Sequence, residues 1–151
     1  MINNSRFSVA IHALMMMAQA EGNQKITSNS IAKSTGMNAV TIRHVFQKLK
    51  AAGLIEVKPG PGGAKLAINP TQVTLYDIYA AVEDNPFADL FRLNQTNSEW
   101  CPVGRNINDI LSGRFEKVRE AASHELGNST LSDLLNELDC IETSKDLKIG
   151  E

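Results

Sequence analysis

Side chains able to donate hydrogen bonds to nucleic acid are concentrated in one helical segment, residues 39–52. Arg43 has the guanidinium that most often recognises guanine, and Gln47 has an amide suited to adenine. Apolar residues at three- and four-residue intervals predict the buried face of this helix: Ile42, Val45, Phe46 and Leu49. The remaining arc is predicted to contact DNA and contains Val40, Thr41, Arg43, His44, Gln47 and Lys48. The competing interpretation is an ordinary solvated helix face.

A short helix and a tight turn precede this segment. Residues 28–34 are predicted to be helical, with Thr27 or Ser28 as the cap, and Gly36 supplies the turn. Asn38 can cap the second helix, and it is also placed among the DNA contacts. The order and spacing are those of a helix-turn-helix unit, in which the second helix lies in the major groove.

A glycine-rich hairpin follows the second helix. Its strands, Leu54–Lys58 and Ala64–Ile68, enclose a loop in which Gly60 and Gly62 allow close approach to a DNA backbone. The predicted phosphate contacts come from this hairpin and from neighbouring elements: Arg6, Ser28, Lys58 and Lys65. The loop lacks the G-K-[ST] ending of a nucleotide-binding loop, because Gly63 precedes Ala64. The hairpin is therefore predicted to be the wing of a winged helix-turn-helix domain.

Charge is distributed unevenly along the chain, although the whole molecule has a net charge of −2. Residues 1–70 contain eight Lys/Arg and two Asp/Glu, a balance of +6, whereas residues 71–151 contain seven and fifteen, a balance of −8. Such a division is expected when only the first half meets phosphates.

Composition and motifs restrict the other function classes. The chain of 151 residues has the size of one small domain with an appendage, and its two cysteines are too few for a disulfide framework. Neither a signal peptide nor a membrane-length apolar run is recognised, so a soluble cytoplasmic protein is expected. Catalytic triads, paired carboxylates and nucleotide loops are lacking, which argues against an enzyme. The alternative to a DNA-binding regulator is a winged-helix module used only for protein contact.

The rest of the chain is predicted to be mainly helical. A first helix spans about residues 5–21, and Thr74 with Asp77 forms the capping box of another. The predicted organisation is a DNA-binding domain (1–84), an effector or linker loop (85–102), a dimerisation helix with a C-terminal helix (103–140) and a flexible tail (141–151). The fold class is therefore mainly α with a small β wing.

A long amphipathic helix is predicted over residues 103–125, and its apolar side is the expected seam of a two-fold homodimer. That seam contains Ile107, Ile110, Leu111, Val118 and Ala122. An intramolecular brace is the alternative use of this helix. Thr130 is predicted to cap a last short helix with an apolar stripe beginning at Leu131.

Cys101 lies immediately before Pro102, where the long helix begins. A helix N-terminus favours the thiolate form, so Cys101 is a candidate oxidant sensor. The alternative is a buried structural cysteine beside Trp100.

In the order and spacing of several short motifs, the chain resembles the Rrf-two type of winged-helix bacterial regulators, the family of IscR, NsrR and CymR. The motifs are Ser5–Ala10, Ile31-Ala32, Gly36-Met37, Leu49–Ile55, Gly60–Gly63, Thr74–Ile78, Ala81–Glu83, Cys101–Val103 and Thr130–Leu135. The resemblance covers nearly the whole chain. It implies a homodimer that binds palindromic operators in double-stranded DNA and usually represses transcription. Release by an oxidant or a small molecule is predicted separately, from the irregular segment that contains Cys101.

The chain departs from the cluster-binding members of this family. Those members have three cysteines before the long helix and a fourth ligand nearby, whereas this chain has only Cys101 there and Gly104 where relatives can have a His. No iron–sulfur cluster or other cofactor is therefore expected. Pro59 and Lys65 replace the Arg and Tyr of many relatives, and the recognition helix also differs, so a different operator is expected.

Overall fold

The computed structural model describes residues 5–95 and 98–149. The chain folds into six α-helices and one two-stranded antiparallel sheet within those residues. The helices are α1 (Ser5–Gln19), α2 (Ser28–Thr35), α3 (Ala39–Ala51), α4 (Leu75–Val82), α5 (Pro102–Gly127) and α6 (Leu131–Ile149), and the strands are β1 (Ile55–Val57) and β2 (Ala64–Leu66). The mainly helical fold with a small wing is as predicted.

One hydrophobic core lies under α3 and holds its outer face in place. The predicted inner side chains of α3 are all buried, with Ile42 and Leu49 fully inaccessible to solvent. They pack with apolar residues of α1, α2, α4, the wing and the start of α6: Leu14, Met17, Ile31, Ile55, Ile78, Val82 and Leu131. Because α1, α2, α4 and β1 all pack against its inner side, α3 presents a fixed set of side chains to solvent.

Local capping explains how the helix-turn-helix unit forms. Thr27 accepts a hydrogen bond from the Ser30 N–H, and the Ser30 hydroxyl accepts one from the Thr27 N–H, so Thr27 is the cap of α2. Gly36 ends α2 at φ 73°, a backbone conformation that is unfavourable for residues with a Cβ atom. Asn38 then accepts a hydrogen bond from the Val40 N–H at 2.8 Å and starts α3, as predicted.

The wing has a shorter ladder than the sequence predicted. Glu56 pairs with Lys65 at its centre, and regular pairing is limited to three residues in each strand. The Gly60–Gly62 segment turns as a 3-10 helix, and the Lys58 N–H donates to the Gly63 carbonyl at 3.0 Å to close the tip. Lys58, predicted at the end of the first strand, therefore belongs to the turn, and at the other end the Ala67 N–H donates to the Leu54 carbonyl at 3.0 Å just outside the ladder.

Hydrogen bonds to both α4 and α5 hold the segment between these two helices. The Thr74–Asp77 capping box starts α4 as predicted. Beyond α4, the Phe87 N–H donates to the Tyr79 hydroxyl at 3.2 Å, and Phe87 has a φ of 63°, which is unusual for a bulky residue. Arg119 on α5 donates to the carbonyls of Phe87 and Phe91, at 3.4 and 3.0 Å. Contacts to α4 and α5 thus compensate for the strained backbone.

Helix α6 is longer than predicted. Thr130 and Asp133 cap it reciprocally, in agreement with the predicted cap. Residues 141–149, predicted as part of a flexible tail, continue the helix as far as Ile149. Side-chain hydroxyls of Thr143 and Ser144 bond to carbonyls one turn back, and Lys145 pairs with Glu142. None of the helices in the described residues is long and apolar enough to cross a membrane.

Candidate nucleic-acid interface

The outward arc of α3 is accessible as the sequence predicted. Arg43, His44 and Gln47 are exposed, and Val40 exposes 53% of its surface at the first turn. Thr41 is half-buried at the edge of this arc. The helix thus offers several hydrogen-bond donors and one apolar contact, the combination used to distinguish base edges and thymine methyl groups.

A groove of about 340 Å³ separates α3 from the N-terminus of α2 and the wing. It brings together five of the predicted contact residues from three elements: Ser28, Arg43, Gln47, Lys58 and Gly60. Phe46 and Val57 provide apolar surface. No carboxylate lines this groove within the described part of the chain. An anionic ligand such as a DNA backbone is therefore favoured there.

Lys50 also lines this groove, and the sequence analysis did not include it. It follows Arg43 by seven residues and Gln47 by three, so it lies on the same side of the helix. That spacing was the signal that could have identified it.

Lys48 has an intramolecular partner. Its ammonium Nζ lies 2.5 Å from the Asp84 carboxylate just beyond α4, and the hydrogen bond lowers the pKa of that carboxyl. The charge of Arg6 adds a smaller contribution to the lowered pKa of Asp84, and Arg6 is not among the residues that line the groove. A phosphate contact by Lys48 or Arg6 would compete with this carboxylate.

Glycines shape the tip of the wing. A Cβ on Gly62 would lie 2.3 Å from the Lys58 Cβ, so a larger residue would displace the lysine. Gly60 adopts a φ of 72°. Across the strands, Lys65 Nζ lies 3.2 Å from Glu56 Oε2, with both side chains more than half exposed. Of the two predicted wing contacts, Lys58 lines the α3 groove and Lys65 lies on the other strand, beside a carboxylate.

The outer side of α5 carries an uncovered apolar stripe. No residue of this 26-residue helix is buried. Ile110 and Val118 expose 51% and 41% of their surfaces, and the sequence analysis missed Val103, which exposes 64%. Ile107, Leu111 and Ala122 are half-buried. The predicted seam therefore contains an exposed centre and a partly covered flank.

Cys101 is half-buried at the N-cap position of α5 and makes no side-chain capping hydrogen bond. The adjacent Trp100 exposes 87% of its surface, so Trp100 does not form a buried environment for the thiol. Cys140 is exposed on α6. The position at a helix N-terminus agrees with the sequence analysis, whereas the sensor role stays a prediction.

The available metal donors do not fit a four-ligand iron–sulfur cluster. The chain has two cysteines and three histidines. His12 of α1 bonds to Ser34 of α2 at 2.8 Å, and His44 lies on the outward arc of α3. Among the described residues, no group of three or more His, Cys, Asp or Glu side chains could hold a metal ion.

Comparison with known proteins matches residues 3–137 to the family described as Rrf2, iron-dependent transcriptional regulator. An inferred HTH-type regulator of Bacillus subtilis (strain 168), YwnA, is 35% identical over 135 residues, or 89% of this chain and 98% of that one. A crystal structure of an inferred DNA-binding protein is 32% identical, covers 86% of this chain and 98% of its own, and superposes with a TM-score of 0.68. CymR, the global cysteine regulator of B. subtilis, shares the fold at 20% identity and a TM-score of 0.63, over 87% and 94% of the two chains.

Proposed function

This chain belongs to the Rrf2 family of DNA-binding transcriptional regulators, and from that premise we propose that it is a homodimeric repressor of palindromic operators in the cytoplasm. The family consists of regulators and not of enzymes. The observation that best supports the specific proposal is the α3 groove, in which base-reading and phosphate-binding side chains converge and no carboxylate is found among the described lining residues.

In this proposal α3 reads base edges and the surrounding elements hold the backbone. Arg43 pairs with guanine and Gln47 with adenine, while Val40, Thr41 and His44 complete the reading surface. Backbone contacts are assigned to Lys48 at the edge of α3 and to groups on the elements beside this helix: Arg6, Ser28, Asn38, Lys58, Gly60, Gly62 and Lys65. Such contacts orient the protein and carry no sequence information themselves.

Dimerisation through the outer stripe of α5 accounts for the palindromic operator. A two-fold axis pairs identical residues, so an exposed Ile110 or Val118 meets its own copy or a close neighbour. The stripe lies on a helix that has no buried residue within one protomer. Two recognition helices then read half-sites about one helical turn, roughly 34 Å, apart or a multiple of that distance.

The effector segment is assigned to the region from Pro86 to Arg105. Arg119 connects this loop to the dimer helix, and Asp84, two residues before the loop, pairs with Lys48 of the reading helix. A ligand or oxidant that changes the loop would alter the relation between the two reading helices. An effector can shift the dimer from one arrangement of its reading helices to another only if its affinity differs between the two arrangements.

The proposed signal is oxidation of Cys101 or binding of a small molecule to the same segment, without a metal cluster. The donor set that could hold a cluster is incomplete around Cys101, despite the iron in the family description. Anaerobically purified protein is therefore expected to lack stoichiometric iron and labile sulfide and to bind DNA without them.

Selection of bound sequences from random duplex DNA tests the proposed function. The expected result is an inverted repeat whose affinity falls steeply with salt. The alternative, a winged helix used only for protein contact, leaves the basic groove unused and predicts no enriched sequence and no salt-sensitive retention on DNA.

A further inference from the structure

A second basic groove lies on the other flank of the wing, facing away from α3. It has a volume of about 620 Å³ and is bounded by the turn after α1 on one side and by the wing on the other. Lys25, Lys58 and Lys65 all line it. Lys58 and Gly63 line both grooves, so the wing is the wall between them.

Lys25 is distant from the wing in sequence but is held against it in the fold. The next residue, Ile26, forms an antiparallel bridge with Ala64, and the Ala64 N–H donates to the Ile26 carbonyl at 2.7 Å. Gly63 has a φ of 71°, and a Cβ there would lie 2.9 Å from the Ile26 carbonyl and 3.3 Å from the Lys25 Cβ. Backbone pairing and this close approach fix the base of the Lys25 side chain beside the tip.

Charge in this groove is incompletely balanced. The groove lining contains no Asp or Glu among the described residues. Glu56 compensates Lys65 at 3.2 Å, but Lys25 and Lys58 have no ion pair within the described part of the chain. Two unpaired ammonium groups around one concave surface create a positive potential that an array of phosphates would neutralise.

We propose that the second groove binds the phosphate backbone of DNA through Lys25, so that each protomer contacts phosphates on both flanks of its wing. The inference rests on the proposed function, because the wing must already lie against DNA. It adds a contact that precedes the helix-turn-helix in sequence and is brought to the duplex by the Ile26–Ala64 bridge. A lysine held this way contributes affinity without base preference.

The test compares Lys25→Ala with Lys33→Ala, an exposed lysine of α2 that lines neither groove. Dissociation constants are measured on operator and random duplexes over a range of chloride concentrations in phosphate-free buffer. One phosphate contact per protomer corresponds to a decrease of about 0.9 in the salt slope, or about 1.8 for a dimer. Lys25→Ala is expected to show that decrease equally on both duplexes, Lys25→Arg to retain the wild-type slope, and Lys33→Ala to leave it unchanged.

The outcomes separate this inference from the proposed function. If wild type binds DNA with a salt-dependent affinity and Lys25→Ala has the same slope, the second groove is not a DNA contact, while the regulator proposal stands. If Lys25→Ala weakens operator binding alone, the residue affects base reading and the inference is wrong. Wild type that shows no salt-dependent binding to any duplex would overturn both. Unchanged circular dichroism and thermal unfolding confirm that the variants are folded.

Discussion

Replacement of Arg43 by alanine is the perturbation that most directly tests base reading by α3. Arg43 is exposed on the outward arc, and its guanidinium makes no hydrogen bond or ion pair to another described residue. Its loss should therefore have little effect on folding, since surface substitutions without such features usually change stability by less than about 0.5 kcal/mol.

The expected loss of operator-binding free energy follows from the number of Arg43 side chains in the complex. A bidentate arginine–guanine contact contributes about 1–3 kcal/mol of discrimination. A dimer on a palindrome makes this contact twice, and the two sites are far enough apart for the costs to add, giving roughly 2–6 kcal/mol. Because about 1.4 kcal/mol is a factor of ten, operator affinity should fall by about 30-fold to about 10⁴-fold.

Fluorescence anisotropy with a labelled operator and a labelled random duplex, at one fixed salt concentration, measures this effect. Arg43→Ala should lower operator affinity much more than affinity for random DNA. Arg43→Lys keeps the charge but loses the two-pronged geometry, so it should behave more like alanine on the operator and like wild type on random DNA. Equal losses on the two duplexes would show that Arg43 binds phosphate, and the assignment of α3 as the reading helix through this residue would be refuted.

The remaining predictions concern the wing, the dimer and the sensor. Lys58→Ala should weaken binding to all duplexes alike and reduce the salt slope by about 1.8 per dimer; a loss confined to the operator would contradict this. Glu56→Gln should tighten non-specific binding because it frees Lys65 from its carboxylate partner, and the salt series would detect a steeper slope. Ile110→Asp should give monomers by light scattering at micromolar concentration, since it places like charges at a two-fold seam; an unchanged dimer would exclude the outer stripe of α5. Peroxide should release wild type from DNA but not Cys101→Ser, and equal release would eliminate the thiol switch in favour of a small-molecule ligand.

Local periodicity was sufficient to predict α3 and its exposed face. An α-helix has 3.6 residues per turn, so a helix that buries Ile42 and Leu49 places Arg43 and Gln47 on its exposed side. Caps were predictable for the same reason: Asn38 and Thr74 act on N–H groups two or three residues away. Features that depend on a few neighbouring residues can be recognised in the sequence.

Features that depend on long-range contacts were not predictable in this way. Lys25 joins the wing through a bridge between Ile26 and Ala64, and no sequence pattern connects positions so far apart. The pairing of Lys48 with Asp84 likewise required the packing of α4 against α3. The extension of α6 was missed because residues 141–149 are mostly polar and their few apolar residues do not form a continuous stripe, which favoured a tail over a helix.

Several other long-range contacts meet at the loop after α4, and their energies indicate how a signal could act. In the Lys48–Asp84 pair the carboxylate is 81% exposed, and ion pairs open to solvent contribute little, so breaking this pair alone would not release an operator. The contacts to α5 are more extensive: Arg119 is largely shielded and bonds two loop carbonyls, and Phe91 stacks on Phe115 with ring centroids 5.2 Å apart. Coupling between effector and DNA sites is typically about 1–3 kcal/mol. Several hydrogen bonds and a ring contact can supply that difference, so we expect the rearrangement of the loop on α5, and not the ion pair to α3, to set the response.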